Sequence, residues 1–431
     1  MPTMYVAHRT TALYKSSTDN KREMVLIYGD EVETNGAAVN NRIRAEFRGR
    51  QGFVVLTHLQ DKPVLEMYFI DVGQGDSTFI VTPQRKKILI DGGINKRAYG
   101  FLAWKYNLDK GGPPIDIDLL VLSHADADHI DGLIPIISSP KINVRKVIHN
   151  GIATYGEGAF QTGLGSLDPA GEYLITKHDK LDELAGLPLS DGFEAWRRAI
   201  SNEATLYNSV DSTTGAIDIG DPDVSISVLG PRLDQHDGPP VYRWFGSEAQ
   251  TINGHSVVLK LDYDNVSAIL SGDLNSKGAK NLLGDPSIIS KLKAHIFKAP
   301  HHGSHDFHRP FLEGVEPYIS IISSGDDPDH GHPRAIFIGA IGQSSRSIAP
   351  LVFSTEIAAT FKEVGVKPVR TAVGHLEDLD TSSPNADSDA HVLFKKLLNG
   401  MINVRTDGEH LFAARRVKAG YWWESYGPLP T

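Results

Sequence analysis

Four side chains able to bind a metal fall within six positions of Ser123-His124-Ala125-Asp126-Ala127-Asp128-His129. Two imidazoles flanking two carboxylates make a donor set for a cation. Aspartates in a turn also cap helices, and Asp128 or Asp131 could serve that end alone, but capping calls for no imidazole. A further carboxylate, Asp273, closes Leu270-Ser271-Gly272-Asp273; taken alone, such an aspartate is most often a turn former. A third group lies in Lys298-Ala299-Pro300-His301-His302-Gly303-Ser304. Around it His295, His301, His302, His305, His308, His330 and His332 place seven of the eighteen histidines within 38 residues. Surface decoration does not explain that crowding. The chain has no cysteine, which excludes disulfides, thiolate metal sites and a Cys nucleophile. Any metal is therefore held by His, Asp and Glu.

The elements that must position these residues read as strands. Ile115–Leu122 is a continuous apolar run ending at the His/Asp cluster, the pattern of a buried strand with polar groups at its carboxyl end. Met67–Val72, Ser77–Val81 and Ile88–Asp91 precede it; Val224–Leu229, Ser256–Leu261, Ser267–Ser271 and Ala294–Lys298 follow. A hairpin is expected to turn at Asp407-Gly408 between Ile402–Arg405 and Leu411–Arg415. Helices are expected at Asp191–Glu203, Thr355–Glu363 and Asp389–Leu398, with a polar loop over 376–390. Residues 150–222 are Gly-rich and irregular and read as an insertion that covers the site. The first sixty residues alternate with period two between Gly/Asn turns, at Met24–Tyr28, Arg42–Phe47 and Phe53–Leu56. They argue for a small β-barrel. The boundary falls at Gln60-Asp61-Lys62-Pro63, giving residues 1–62 and 63–431 as two units. The fold class is α/β.

An ordered set of motifs resembles the metallo-β-lactamase fold, in the branch that holds the hydrolase domain of ComEC-type competence proteins. The set is Asp71 in Asp-Val-Gly-Gln-Gly-Asp-Ser, Asp91-Gly-Gly, His124-Ala-Asp-Ala-Asp-His129, Asn253-Gly-His-Ser, Ser-Gly-Asp273, Pro-His-His-Gly-Ser and Gly331-His332-Pro333. The head, Gly29-Asp-Glu-Val with Arg48-Gly-Arg-Gln-Gly-Phe-Val, is similar to bacterial Src-homology-3-like domains. The resemblance implies an αββα sandwich behind a small N-terminal β-barrel, and two divalent metal ions. One site would hold His124, Asp126 and Asp273. The other would hold Asp128, His129, the bridging Asp273 and one of His301 or His302, with His302 preferred and His301 left to touch substrate. His255 matches a stretch that usually supplies a histidine to the first site; a packing role is its alternative. Asp71 matches an aspartate that orients cluster residues by hydrogen bonding. Asp128, His301 and His332 are the candidate catalytic groups, His332 to position a phosphate or protonate a leaving group.

The family's cluster carries a second histidine where this chain has Asp126. A carboxylate in place of an imidazole hardens the site and moves preference from zinc toward manganese or magnesium. The expected cofactors are two ions of manganese or zinc, with magnesium a third option. Two cations about 3.5–4 Å apart clamp the attacking and leaving oxygens of an in-line displacement. That favours a phosphodiester substrate, and the resemblance to the ComEC-type branch implies DNA or RNA first. The net charge of -10, from 43 Lys+Arg against 53 Asp+Glu, opposes bulk electrostatic gripping of nucleic acid. It favours a rival reading, a small-molecule phosphodiesterase of the phosphorylcholine-esterase type. A third reading, an interaction protein retaining a metal site, is opposed by the complete ligand set. A nucleotide-binding Gly loop and a serine-hydrolase elbow are absent. Arg415, Arg416 and Lys418 with Tyr421, Trp422 and Trp423 offer a basic, aromatic strip, or simply C-terminal packing. No stretch reaches the roughly 18–20 apolar residues of a membrane span, and the opening residues lack a secretory pattern. A cytoplasmic protein without a membrane partner is the expectation.

Overall fold

The computed structural model describes residues 2–201, 206–236, 238–325, 331–356, 400–416 and 423–431. Two sheets form the body. The nine-stranded sheet runs Leu206–Ser209, Lys146–His149, Leu119–Leu122, Lys87–Ile90, Thr78–Val81, Leu65–Phe69, Ile402–Thr406, Leu411–Arg416 and Trp423–Leu429. The six-stranded sheet runs Val224–Gly230, Val258–Tyr263, Val266–Leu270, Ile296–Lys298, Ile319–Ile322 and Leu351–Ser354.

Strand alternation builds the layers. Leu119 and Val121 point into the core between the sheets, where they join Leu65, Met67, Phe69 and Ile80 against Ile226, Leu259, Ala268 and Ile296. Leu120 and Leu122 point the other way, under helices Arg97–Tyr106 and Asp191–Ser201, together with Phe79, Leu102 and Trp196. On the far side Val258, Ile269 and Phe297 pack under helices Ser276–Leu282, Arg309–Val315 and Ala335–Gln343. Both faces of each sheet are thus apolar, which is why the strands read as unbroken hydrophobic runs. The result is a helix–sheet–sheet–helix sandwich. The hairpin expected at Asp407-Gly408 pairs Ile402 with Arg415 and Thr406 with Leu411, and completes the first sheet against Leu65–Phe69.

Residues 2–60 form a seven-stranded antiparallel sheet with a core of Val6, Leu13, Leu26, Val32, Ala45 and Val54. It is docked on the body through Arg405, whose guanidinium donates to the Tyr28 carbonyl at 2.7 Å and the Asp30 carboxylate at 2.8 Å. Tyr28 stacks on Phe412, with ring centroids 4.2 Å apart.

Some expectations need correction. Ile115–Leu122 is two strands, because Asp118 breaks the run: its carboxylate accepts the Lys87 amide at 2.9 Å. Among the described residues, Ile115–Ile117 pairs only with Ile142–Val144, outside the main sheets. The irregular 150–222 stretch is not all excursion, since Leu206–Ser209 extends the nine-stranded sheet in parallel with Lys146–His149. The helix expected at Asp191–Glu203 covers Asp191–Ser201. The loop over 376–390 and the helix at Asp389–Leu398 lie outside the described residues, as does the helix at Thr355–Glu363 beyond Glu356.

Candidate metal centre

Apart from His255, every candidate metal donor lies just beyond the carboxyl end of a strand. His124, Asp126, Asp128 and His129 follow Leu119–Leu122; Asp273 follows Val266–Leu270; His301 and His302 follow Ile296–Lys298. Backbone detail brings them together. Gly75 has φ of +94°, and a Cβ there would stand 1.7 Å from the Asp128 carbonyl, so only glycine lets this turn close over the cluster. His301 and His302 both occupy the left-handed region, at φ of 47° and 51°. Two consecutive residues with side chains rarely do so, and backbone strain of this kind concentrates at functional sites.

Three histidines are wired alike. His129 donates from Nδ1 to the Asp91 carboxylate at 2.9 Å. His302 donates from Nδ1 to the Ser323 carbonyl at 3.0 Å. His124 Nδ1 lies 3.0 Å from the Ser123 hydroxyl, which itself donates to Asp91 at 2.7 Å. With Nδ1 engaged, each ring turns Nε2 inward, and all three Nε2 atoms are buried without a hydrogen bond. Fixing one ring nitrogen to expose the other is how proteins prepare imidazole as a ligand.

The carboxylates complete the group. Asp273 Oδ2 lies 2.9 Å from His302 Nε2 and 3.4 Å from His129 Nε2. Asp128 Oδ2 lies 3.4 Å from His302 Nε2, and Asp126 Oδ2 lies 3.5 Å from His124 Nε2. Ligand atoms of His124, His129 and Asp273 lie within 4.8 Å of one another, and so do those of Asp128, His129 and His302. Burial works against a charged ring at His302, yet Asp273, Asp128 and Asp76 push its pKa up to about 10. Burial opposes charge on His129 too, and Asp273, Asp91 and Asp128 raise it well above the usual imidazole range. Desolvation would raise Asp273, but the charges of His302 and His129 pull it well below. These carboxylates favour positive charge at their centre, which a divalent cation would supply in place of the ring protons. The donors fit that group.

Two expected residues stand elsewhere. His255 does not turn to the centre: its Nε2 donates to the Arg243 carbonyl at 2.9 Å, and its ring stacks on Phe245. Desolvation lowers its pKa to about 4, so it is a neutral packed histidine. Asp71 does not orient the cluster: its carboxylate accepts the Gly73 amide at 3.3 Å and faces Arg97 at 3.4 Å. Asp91 does that work, gripping Ser123 and His129 together. His301 stands beside His302 with Nε2 3.4 Å from the Asn253 amide. His332 faces both, its ring centroid 5.9 Å from that of His301 and 6.3 Å from that of His302.

The sequence reading also missed Asp76 and Lys298, both buried beside Asp273. Their signals were present: Asp76 lies in the first motif, and Lys298 ends the strand before Pro-His-His.

A family profile described as the Metallo-beta-lactamase superfamily matches residues 70–313. The chain belongs to this superfamily. Within it, the chain is similar to ComE operon protein 3 of Bacillus subtilis (strain 168), at 25% identity over 284 residues. That match takes in 62% of this chain and 29% of the relative, so the chain spans under a third of that protein's length. Similar solved structures include Igni18, a metallo hydrolase from Ignicoccus hospitalis, at 11% identity and a TM-score of 0.33, covering 67% of this chain and 93% of that one. Another is CmlA, a diiron beta-hydroxylase from Streptomyces venezuelae, at 13% identity and a TM-score of 0.34, covering 69% and 54%. The matched span carries His124, Asp126, Asp128, His129, Asp273, His301 and His302.

Proposed function

We propose that the chain is a two-metal phosphodiester hydrolase with nucleic acid as its first substrate class. The observation that carries this is the convergence of three inward imidazole nitrogens with the carboxylates of Asp128 and Asp273. His124, Asp126 and Asp273 would hold one ion; Asp128, His129, Asp273 and His302 the other. The oxygen-rich first site supports manganese over zinc, and the resemblance to the competence-protein branch supports the substrate class. Divalent cations there would stabilise the charge that develops on the oxygens of an in-line displacement.

The protein's own groups do the rest. His301 and His332 are half-buried and stand together at the edge of the cluster. Burial holds the His301 pKa below its ordinary value, and a neutral ring keeps one N–H that can donate to a phosphoryl oxygen. His332 is the candidate to protonate the leaving oxygen.

The net charge of -10 supports a second reading, a small-molecule phosphodiesterase of the phosphorylcholine-esterase type. One comparison separates them: hydrolysis of a chromogenic phosphodiester, of phosphorylcholine esters, and of single- and double-stranded DNA and RNA, each with manganese, magnesium and zinc. Cleavage of DNA or RNA supports the first reading. Cleavage confined to the small esters favours the second, and inertness toward all of them removes both.

A further inference from the structure

We propose that Lys298 is a positioning residue of the metal centre. Its ammonium fixes Asp273 with one oxygen toward the histidines, and it keeps Asp76 out of the ligand set. Lys298 ends the strand Ile296–Lys298, in register beside Leu270, and is almost wholly buried at 3% exposure. Its backbone is tied to the Asp273 turn, because the Ser271 hydroxyl donates to the Lys298 carbonyl at 2.7 Å. Its ammonium donates to the Gly272 carbonyl at 2.9 Å, pairs with the Asp76 carboxylate, and faces Asp273 Oδ1 at 3.9 Å. The Gly272 carbonyl and the Asp76 carboxylate are its close partners, and Asp273 Oδ1, which has no hydrogen bond of its own, lies at ion-pair distance from it.

The arrangement sorts the oxygens of Asp273. Oδ1 faces the lysine, whereas Oδ2 lies against His302 and His129. Asp76 has an oxygen within 4.8 Å of donor atoms of Asp273 and His302, with its Oδ1 3.6 Å from His302 Nδ1, so it stands close enough to compete for a cation if it were free to turn. The ammonium beside it holds it as a counter-ion instead. An ammonium has no lone pair and cannot itself ligate. When the three imidazoles ligate they are neutral, and Lys298 is then the positive charge the protein contributes between Asp76 and Asp273. Buried as it is, Lys298 touches no substrate; it acts through Asp273.

This inference rests on reading the cluster as a metal centre and not on the substrate. The test is Mn2+ binding to the full chain, by titration calorimetry, for wild type, Asp76→Asn, Lys298→Met and the double variant, with circular dichroism confirming the fold. Asp76→Asn leaves Lys298 on Asp273 and keeps affinity within about threefold, whereas the double variant loses on the order of ten- to a hundredfold, the range typical of residues that orient ligands. Wild-type affinity in the double variant overturns the proposal, because Lys298 would then only neutralise Asp76. An equal loss in Asp76→Asn overturns it as well, since Asp76 would itself be the ligand. Should the double variant not fold, Lys298→Arg decides: it keeps the charge but displaces it, and weakened Mn2+ binding supports the proposal while unchanged binding overturns it. A wild-type chain that binds no Mn2+ removes this inference and the metal reading together. Binding without hydrolysis removes only the substrate assignment.

Discussion

Asp91 shows how much of the centre is set by residues that need not touch a metal. Its carboxylate accepts from Ser123 and His129, so one side chain on a neighbouring strand aims the cluster. Replacing a proposed ligand has a direct consequence: His129→Ala removes a donor whose ring stands within 4.8 Å of both the His124–Asp273 and the Asp128–His302 donor atoms. It is expected to abolish hydrolysis and to lower bound metal by elemental analysis, with the fold retained. His255→Ala is the contrasting case. Losing a buried ring that stacks on Phe245 costs about 2–4 kcal/mol of stability, yet metal content stays at the wild-type value; a loss of metal would return His255 to the ligand set. Asp126→His exchanges a hard donor for an imidazole, and competition titrations should show zinc gaining on manganese. The His124–His129 donors were legible in the sequence because they are contiguous. Asp91, Asp76 and Lys298 stood inside or beside quoted motifs, but their roles were not legible, because their partners lie far away in sequence. His255 misled because a motif position does not fix where a ring points: its Nε2 turns to the Arg243 carbonyl.

Strands were the legible elements, since continuous apolar runs between polar turns mark sheets buried on both faces. Helices were harder to see. Arg97–Tyr106 carries Gly100 and four aromatics, poor helix formers, and is held by Ala98, Phe101 and Leu102 on one buried face. Ala335–Gln343 is so apolar that its sequence gives no helical stripe, although only Phe337 and Ile341 are buried. The junction between the N-terminal sheet and the body was likewise invisible. There Arg405 meets Asp30 and Glu66, and Glu66 also meets Lys105 at 3.1 Å. Burial would raise the Glu66 pKa, but Lys105, Arg405 and the Tyr68 hydroxyl hold it at about 2, below its ordinary 4.5. A depressed carboxylate stabilises the folded state above its unfolded pKa, and that contribution fades as pH falls from about 4.5 toward 2. Chemical unfolding across that window should therefore be steeper with pH in the wild type than in Glu66→Gln; equal slopes would show that Glu66 is not the linked group. Arg405→Met strands Asp30 without its buried partner and should cost about 3 kcal/mol or more.

At the scale of the molecule, the charge is divided. Residues 1–62 carry nine Lys/Arg against seven Asp/Glu, and the remainder carries 34 against 46. No helix among the described residues is long and apolar enough to cross a membrane. Of the basic, aromatic strip near the end, 417–422 lie outside the described residues, and Trp423 packs against the core. All the proposed ligands lie in the body, so a chain beginning at Val64 should still bind Mn2+, but it should melt lower than the full chain because Arg405, Val64 and Phe412 lose Asp30 and Tyr28. Lost Mn2+ binding in a folded truncation would mean that the N-terminal sheet shapes the centre. The central claim, a two-metal phosphodiester hydrolase, is tested most directly by titrating Mn2+ into metal-stripped full-length protein while following hydrolysis of a chromogenic phosphodiester. The account predicts no activity without metal and a rise that levels off once two ions are bound per chain. Saturation at one ion, or no hydrolysis with manganese, magnesium or zinc at any loading, would contradict it.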